Sequence, residues 1–118
     1  MPSESKHLEQ YKKNKELAFS DVMCNQINND WKVTILFYAA LHKLDSHYAS
    51  LYHPKSHKER KNFLYSTKKY NDVIDEYEYL EELSRNARYS CIKVKKKEIE
   101  EAEELLAYIE KFVENKKD

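Results

Sequence analysis

The sequence predicts an all-α fold, an up-and-down bundle of four to five helices in which one short helix follows the central helix. Three observations support this prediction. Apolar residues recur at helical spacing along most of the chain. The chain has no glycine and only two prolines, so connections between helices are expected to be short and few. Charged residues make up 36% of the chain and hydrophobic residues 41%, as expected for helices that bury one face.

A first helix is expected from about Glu4 to Ile27. Its early half is polar, and its late half carries the apolar residues Leu17, Ala18, Val22, Met23 and Ile27. We therefore expect only the late half to be well packed. Asn28 and Asn29 form the predicted turn into the next helix.

The central helix is predicted from Trp31 to Tyr52, with Asp30 as its N-cap. It carries two stripes at helical spacing. One stripe contains Val33, Phe37, Ala40, Leu41, Leu44, Tyr48 and Leu51, and the other contains Trp31, Ile35, Tyr38, His42, Asp45, Ala49 and Tyr52. A helix that is apolar on most of its circumference must be surrounded by other helices. Pro54 ends this segment, because proline cannot continue a helix.

Three further helices follow. A short one is expected from about His57 to Ser66, with Ser56 and Glu59 as a capping box. The next opens near Asn71 as N-cap and runs to about Ser90. Its core positions are Val73, Tyr77, Leu80, Leu83 or Ser84, and Ala87. Residues 91–96 are a linker or a helix continuation. The last helix, Lys97 to Asn115, turns Ile99, Ala102, Leu106, Ile109 and Val113 inward.

Length and composition exclude several classes of function. A chain of 118 residues is expected to form one domain. No apolar segment reaches membrane-spanning length, and the N-terminal residues show no secretory hydrophobic region. We therefore expect a cytoplasmic protein without membrane contact. Cys24 and Cys91 stand apart, so buried, reduced thiols are expected. Without glycine, phosphate-binding loops and dinucleotide turns are excluded. No cofactor or metal site is predicted.

Charge is balanced overall but arranged in blocks. Residues 53–69 and 85–97 are basic, whereas residues 72–82 and the segment from Glu98 onward are acidic. If consecutive helices pack antiparallel, the start of the third and the end of the fourth meet at one pole of the bundle. The two basic blocks would then form one patch that suits an anionic partner, and nucleic acid is the first candidate for that partner. Charge pairing between neighbouring helices is the alternative explanation.

The chain has only three arginines but eighteen lysines, and all three arginines lie in the two basic blocks. A guanidinium is used where its planar fork matters, as in gripping phosphate or a buried carboxylate. Arg85 and Arg88 are one turn apart, with Tyr89 also one turn from Arg85. We interpret Arg60, Arg85 and Arg88 as functional; the alternative for Arg85 is an ion pair with Glu81 across one turn.

Four of the five histidines lie between residues 30 and 60. His42 is three residues from Asp45, whose carboxylate would orient the imidazole, and Tyr38 lies one turn behind it. A core histidine with a satisfied partner is the alternative. His53 and His57 cluster with Arg60 around the corner at Pro54. His42 and His47 lack the HExxH spacing, so we predict no dedicated metal site.

Three segments in this order resemble small prokaryotic proteins of the HEPN superfamily. They are the W-x6-YAALH run (Trp31, Tyr38, Ala39, Ala40, Leu41, His42), the P-x-SH-x-x-R corner (Pro54, Ser56, His57, Arg60) and the SRNARY segment from Ser84 to Tyr89. The resemblance covers about residues 31–89. It implies a four- or five-helix bundle, a homodimer, and a place in toxin–antitoxin or other defence systems. Many members are metal-independent ribonucleases.

The chain departs from the nuclease pattern of that family, in which a histidine follows the arginine after four to six residues. No histidine follows Arg85 or Arg88. A nuclease site would need His42 or His57 to reach the arginines in space, with Tyr38, His53, Arg60 and Tyr89 as binding residues. Three hypotheses follow: a non-catalytic module that binds RNA, a nucleotide or a cognate protein, a ribonuclease with a rearranged site, and a purely structural helical adaptor.

Overall fold

The computed structural model describes residues 3–25, 28–49, 51–89 and 93–115. These residues form five α-helices and no strand: α1 (Glu4–Ala18), α2 (Asn29–Tyr48), α3 (His57–Ser66), α4 (Ile74–Tyr89) and α5 (Lys96–Asn115). Helix α2 is surrounded by α1, α4 and α5, and the short α3 lies against α4. The helical bundle and its central helix are therefore confirmed.

The core is built around α2 and is largely the one that helical spacing predicts. Phe37, Leu44 and Tyr48 from one predicted stripe of α2 are fully buried, and so is Leu36, which neither stripe contained. The expected inward positions are buried on both later helices, namely Val73, Tyr77, Leu80, Leu83, Ser84 and Ala87 around α4 and Ile99, Ala102, Leu106, Ile109 and Val113 on α5. Helix α2 also buries two lysines, which reach α5 carboxylates: Lys32 Nζ lies 2.9 Å from Glu103 Oε2 and Lys43 Nζ 3.9 Å from Glu114 Oε1.

Helix α1 is shorter than predicted and packs through both halves. It ends at Ala18, where the Ser20 hydroxyl donates to the Leu17 carbonyl oxygen at 2.7 Å. A side chain that takes a terminal carbonyl in this way competes with continuation of the helix. The expectation that only the late half is well packed is wrong in part: Ala18 is buried, but Leu17 and Val22 are exposed, and His7 and Tyr11 in the early half are buried. Ile27 lies outside the described residues.

Both predicted ends of the central helix need correction. Asp30 is not the N-cap: it lies inside the first turn, and its carboxylate accepts from the Trp31 amide at 2.9 Å. Asn28 occupies the cap position. At the other end α2 stops at Tyr48 rather than Tyr52, and Leu51, which the pattern placed in an apolar stripe, is 77% exposed. With no core contact for Leu51, further helical turns would bury little apolar surface.

The remaining helix starts agree more closely. At α3 the Glu59 amide donates to Ser56 Oγ at 3.1 Å, as a capping box requires, but the Glu59 carboxylate accepts from the Lys55 amide instead of Ser56. A single 3-10 turn, Lys68–Tyr70, precedes α4, so Asn71 caps that turn and is not the N-cap of α4.

The short connections also settle two smaller predictions. Residues 93–95 connect α4 to α5 outside any helix, with Val94 buried, so this described part of the connection is a linker. Cys24 is an exposed free thiol, which contradicts the expectation that it is buried; it lies in the turn region after α1. Cys91 is outside the described residues. Among the helices that the structure describes, none has the length and apolar character needed to cross a membrane.

Candidate functional site

A buried ion pair between Asp45 and Arg60 joins α2 to the start of α3. Arg60 Nε lies 2.9 Å from Asp45 Oδ1 and Arg60 Nη2 lies 2.9 Å from Asp45 Oδ2, so the guanidinium grips the carboxylate with two parallel bonds. The Tyr48 hydroxyl also donates to Asp45 Oδ1. Desolvation lowers the pKa of Arg60, but the hydrogen bonds and charge of Asp45 outweigh it and raise that pKa above its ordinary value.

This pair corrects two roles suggested by the sequence. Asp45 does not act as a carboxylate dedicated to His42, because both of its oxygens are bound by Arg60. Arg60 is committed to a buried carboxylate, the second of the two uses expected of a guanidinium, and it is buried itself. Its Nη1 still reaches outward to His57 Nδ1 at 3.4 Å. Arg60 therefore holds the start of α3 in place beside the site described next.

Three side chains from three helices meet at Tyr38, and we call them the Arg88 site: Tyr38 on α2, His57 on α3 and Arg88 on α4. Arg88 Nη1 donates to the Tyr38 hydroxyl at 3.2 Å, and the Arg88 guanidinium lies 5.9 Å from the Tyr38 ring centroid. The centroid of the His57 ring is 6.3 Å from that of Tyr38. The start of α3 and the end of α4 thus do approach each other, as helix order predicted.

Arg88 differs from the other two arginines in its electrostatic surroundings. Arg60 is paired with Asp45, and Arg85 Nη2 lies 3.3 Å from Glu81 Oε1. Across the described ranges, Arg88 makes no ion pair with a carboxylate, and its buried Nε has no hydrogen-bond partner. A partly buried cation without a counter-charge loses hydration, and no ion pair compensates for that loss. An anion that docks there would satisfy both the charge and the free N–H.

His57 adds a second group to this site. Its pKa lies below the ordinary value, first because of desolvation and then because of the charge of Arg60, with a smaller contribution of the same sign from Arg88. The ring is therefore neutral at pH 7. Because a guanidinium only donates, His57 Nδ1 must accept from Arg60 Nη1, which places the ring hydrogen on Nε2. His57 thus offers an N–H donor on an exposed residue.

The structure separates the remaining candidates from one another. Tyr89 is 74% exposed, and the Arg88 guanidinium lies 5.3 Å from its ring centroid, so it borders the Arg88 site. Arg85 takes the structural alternative, the one-turn pair with Glu81. Lys61 Nζ also binds Glu81 Oε1, at 3.1 Å. One carboxylate, that of Glu81, therefore lies between a cation of each basic block where α3 and α4 face each other.

His42 belongs to a different cluster, and its partner was not among the residues singled out from the sequence. His42 Nδ1 lies 3.0 Å from His7 Nδ1, and the ring centroids are 5.3 Å apart. Desolvation lowers the pKa of His7, and the charge of His53 adds to that lowering. Sequence spacing could not indicate His7, because α1 and α2 bring it to His42 from a separate helix. The one available signal was a histidine at helical spacing from Tyr11 in an otherwise polar segment.

The residues of the Arg88 site come from three helices and form no contiguous motif. Comparison with protein-family models, with curated proteins and with solved structures finds no match for this chain.

Proposed function

We propose that this chain is a HEPN-like helical module that binds RNA through the Arg88 site. The observation that carries the proposal is Arg88 itself, a partly buried guanidinium with a free Nε and no carboxylate partner in the described structure. Arginine matches phosphate through its planar fork, and the resemblance to the HEPN superfamily points to RNA as the source of that phosphate. The resemblance implies a homodimeric protein of a defence or toxin–antitoxin system, and the sequence predicts that it is cytoplasmic.

The neighbouring groups suit a single-stranded RNA. His57 contributes a neutral N–H donor for a second phosphate oxygen, since Arg60 holds its Nδ1 as the acceptor. Tyr89 presents an exposed ring beside Arg88, on which a base can stack. Such stacking contributes about 1–3 kcal/mol per base and tolerates any sequence. Phosphate contact at Arg88 and stacking at Tyr89 together favour a short segment of unpaired RNA over a folded duplex.

Replacing Arg88 with Ala is expected to weaken binding of a labelled single-stranded RNA by roughly 10- to 100-fold. Hydrogen bonds to a charged partner contribute about 1.5–3 kcal/mol, and each 1.4 kcal/mol is about tenfold in affinity. The measurement is fluorescence anisotropy across a salt series. Losing one phosphate contact should also reduce the slope of log affinity against log salt by about 0.7, the value for single strands.

Arg85→Ala is the matched control, because Arg85 lies one turn away on the same helix and is already paired with Glu81. Its RNA affinity should stay near the wild-type value. Equal losses in both variants would show a diffuse basic surface instead of a site at Arg88. Absence of salt-dependent RNA binding by the wild type would leave the cognate-protein and structural-adaptor hypotheses.

A metal-independent ribonuclease is the second candidate, because His57 does reach the Arg88 site. In that reaction His57 would take the proton of the RNA 2′-hydroxyl while Arg88 stabilises the phosphorane charge and the 5′ oxygen leaves with a proton from water. A base needs a lone pair on the nitrogen that faces the hydroxyl. With Nδ1 held by Arg60, neutral His57 has a hydrogen on its other nitrogen. The geometry therefore favours binding over cleavage.

Total RNA incubated with the purified protein in EDTA is expected to remain intact. The assay compares the wild type with His57→Ala and Arg88→Ala, and gel electrophoresis measures the length of the RNA. Cleavage by the wild type that both substitutions abolish would replace the binding proposal with the nuclease. Cleavage that persists in all three proteins would indicate a contaminating enzyme.

A further inference from the structure

A second cluster of titratable side chains lies between α1 and α2. It consists of His7, His42 and Asp45, which we call the histidine cluster. One ligand atom from each residue lies within 4.8 Å of the others, and the two Nδ1 atoms are 3.0 Å apart. His7 and Asp45 are buried, and His42 is partly buried. Neither the fold nor the RNA proposal gives these three residues a common task.

Two neutral imidazoles that face each other through Nδ1 satisfy each other only if one carries the shared hydrogen. A metal cation between the rings would bind the lone pairs of both Nδ1 atoms, and each neutral ring would then carry its hydrogen on Nε2. Zinc–nitrogen bonds of about 2.0–2.1 Å place two ligands of a tetrahedral ion about 3.3 Å apart. The observed 3.0 Å between the two Nδ1 atoms is close to that spacing. The three ligand atoms lie within 4.8 Å of one another, so the rings and the Asp45 carboxylate would move closer together around an ion.

The charge state of the cluster also suits a metal. Desolvation lowers the pKa of His42, and so does the charge of His7. Desolvation lowers the pKa of His7 as well, with Asp45 opposing it and the charges of His53 and Arg60 adding to it. A metal ion binds imidazoles in their neutral form. At both rings the charge of Asp45 acts against this lowering, and the charge of Arg60 adds to it.

Asp45 is also held as metal-binding carboxylates usually are. Arg60 binds both of its oxygens and the Tyr48 hydroxyl binds Oδ1, yet each carboxylate oxygen has two lone pairs. Oδ2, which accepts only from Arg60 among these contacts, keeps one lone pair for a further bond. Partners of this kind orient a ligand and are a regular part of metal sites.

We propose that His7, His42 and Asp45 bind one divalent transition-metal ion, with zinc as the type, and that this ion clamps α1 to α2. Imidazole nitrogen with one carboxylate oxygen is a donor set that suits zinc, copper or nickel better than magnesium or calcium. The clamp has a structural purpose. Helix α1 buries His7, Tyr11 and Ala18, and an ion bound by His7 would join it to α2 by a further, polar link.

The test titrates zinc chloride into protein purified without a histidine tag and freed of metal with EDTA. Isothermal titration calorimetry at pH 7.5 should show one zinc ion per chain. His7→Gln and His42→Gln should each weaken zinc binding by at least about tenfold, the lower range seen even for residues that only support a metal ligand. His47→Gln is the matched control, because His47 lies on α2 and hydrogen-bonds Tyr70 outside the cluster. It should keep wild-type affinity.

A second measurement on the unmodified protein covers the case in which a variant does not fold. Zinc affinity should fall as the pH is lowered from 7.5 to well below the ordinary histidine pKa of about 6.5, because protonated imidazoles cannot bind the ion. Wild-type protein that binds no zinc, an affinity that does not change with pH, or folded His7 and His42 variants that bind as tightly as the control would each overturn the proposal. The pair would then be a metal-free hydrogen bond between two histidines.

Discussion

Replacing Arg60 with Ala is expected to lower the free energy of unfolding by about 3–5 kcal/mol, because it leaves the buried carboxylate of Asp45 without its counter-charge. Both partners are almost inaccessible, with side-chain exposures of 9% for Arg60 and 4% for Asp45. Two hydrogen bonds of 2.9 Å are lost together. Urea unfolding followed by circular dichroism measures the change, and the slope against urea should stay constant if the compactness of the two states is unaltered.

Arg85→Ala is the control for this prediction as well, since Arg85 also pairs with a buried carboxylate, that of Glu81, but through one contact and from an exposed position. Its side chain is 55% exposed, and Lys61 continues to neutralise Glu81 after the substitution. A loss of at most about 0.5 kcal/mol is expected, as for other helix-surface pairs one turn apart. If Arg60→Ala cost no more than Arg85→Ala, water would have to reach Asp45, and the pair would not be the anchor between α2 and α3.

The contrast between these arginines shows what the sequence contained and what it lacked. Because the chain has eighteen lysines and only three arginines, all three arginines were candidates for a special role. Two of their partners lie on another helix, and spacing within one helix cannot indicate such partners. Asp45 on α2 binds Arg60 on α3, and Tyr38 on α2 accepts from Arg88 on α4. Only the pair of Arg85 with Glu81 lies within one helix, and that pair was foreseen as an alternative.

Helix ends illustrate a second limit. Apolar spacing located all five helices, and it placed the inward residues of α4 and α5 correctly. It extended α1 and α2 too far, because Val22 and Leu51 are apolar yet exposed. A pattern of hydrophobic residues records which side chains are suited to a core. It does not record whether another helix is present to cover them, and that is decided by tertiary packing.

His7 shows the same limit at a site. The predicted role of His42 depended on Asp45, its neighbour along α2. In the structure the Asp45 carboxylate accepts hydrogen bonds from Arg60, and Nδ1 of His42 contacts Nδ1 of His7 on α1. Residues that meet across two helices leave no fixed spacing in the sequence, so the histidine cluster had no motif by which to be found. The same holds for the meeting of His57 with Tyr38.

Replacing Phe37 with Ala is expected to lower the free energy of unfolding by about 3–5 kcal/mol, the usual cost of removing a buried phenylalanine ring. Phe37 is fully buried, and its ring centroid lies 5.7 Å from that of Tyr77 and 5.9 Å from that of His57. The ring therefore packs α2 against α4 and also supports the wall of the Arg88 site. Urea unfolding measures the loss of stability, and RNA anisotropy under folding conditions should show a weaker complex.

Trp31→Ala is the matched control, because Trp31 is a larger aromatic residue on the same helix but is 57% exposed. Its removal should change stability by about 0.5 kcal/mol or less, as for other surface positions. The sequence placed Phe37 and Trp31 in two apolar stripes of equal standing, so this pair of variants measures which stripe the bundle uses. Similar losses for both would mean that Trp31 is covered in solution, and the surface around it would then be an interface with another chain.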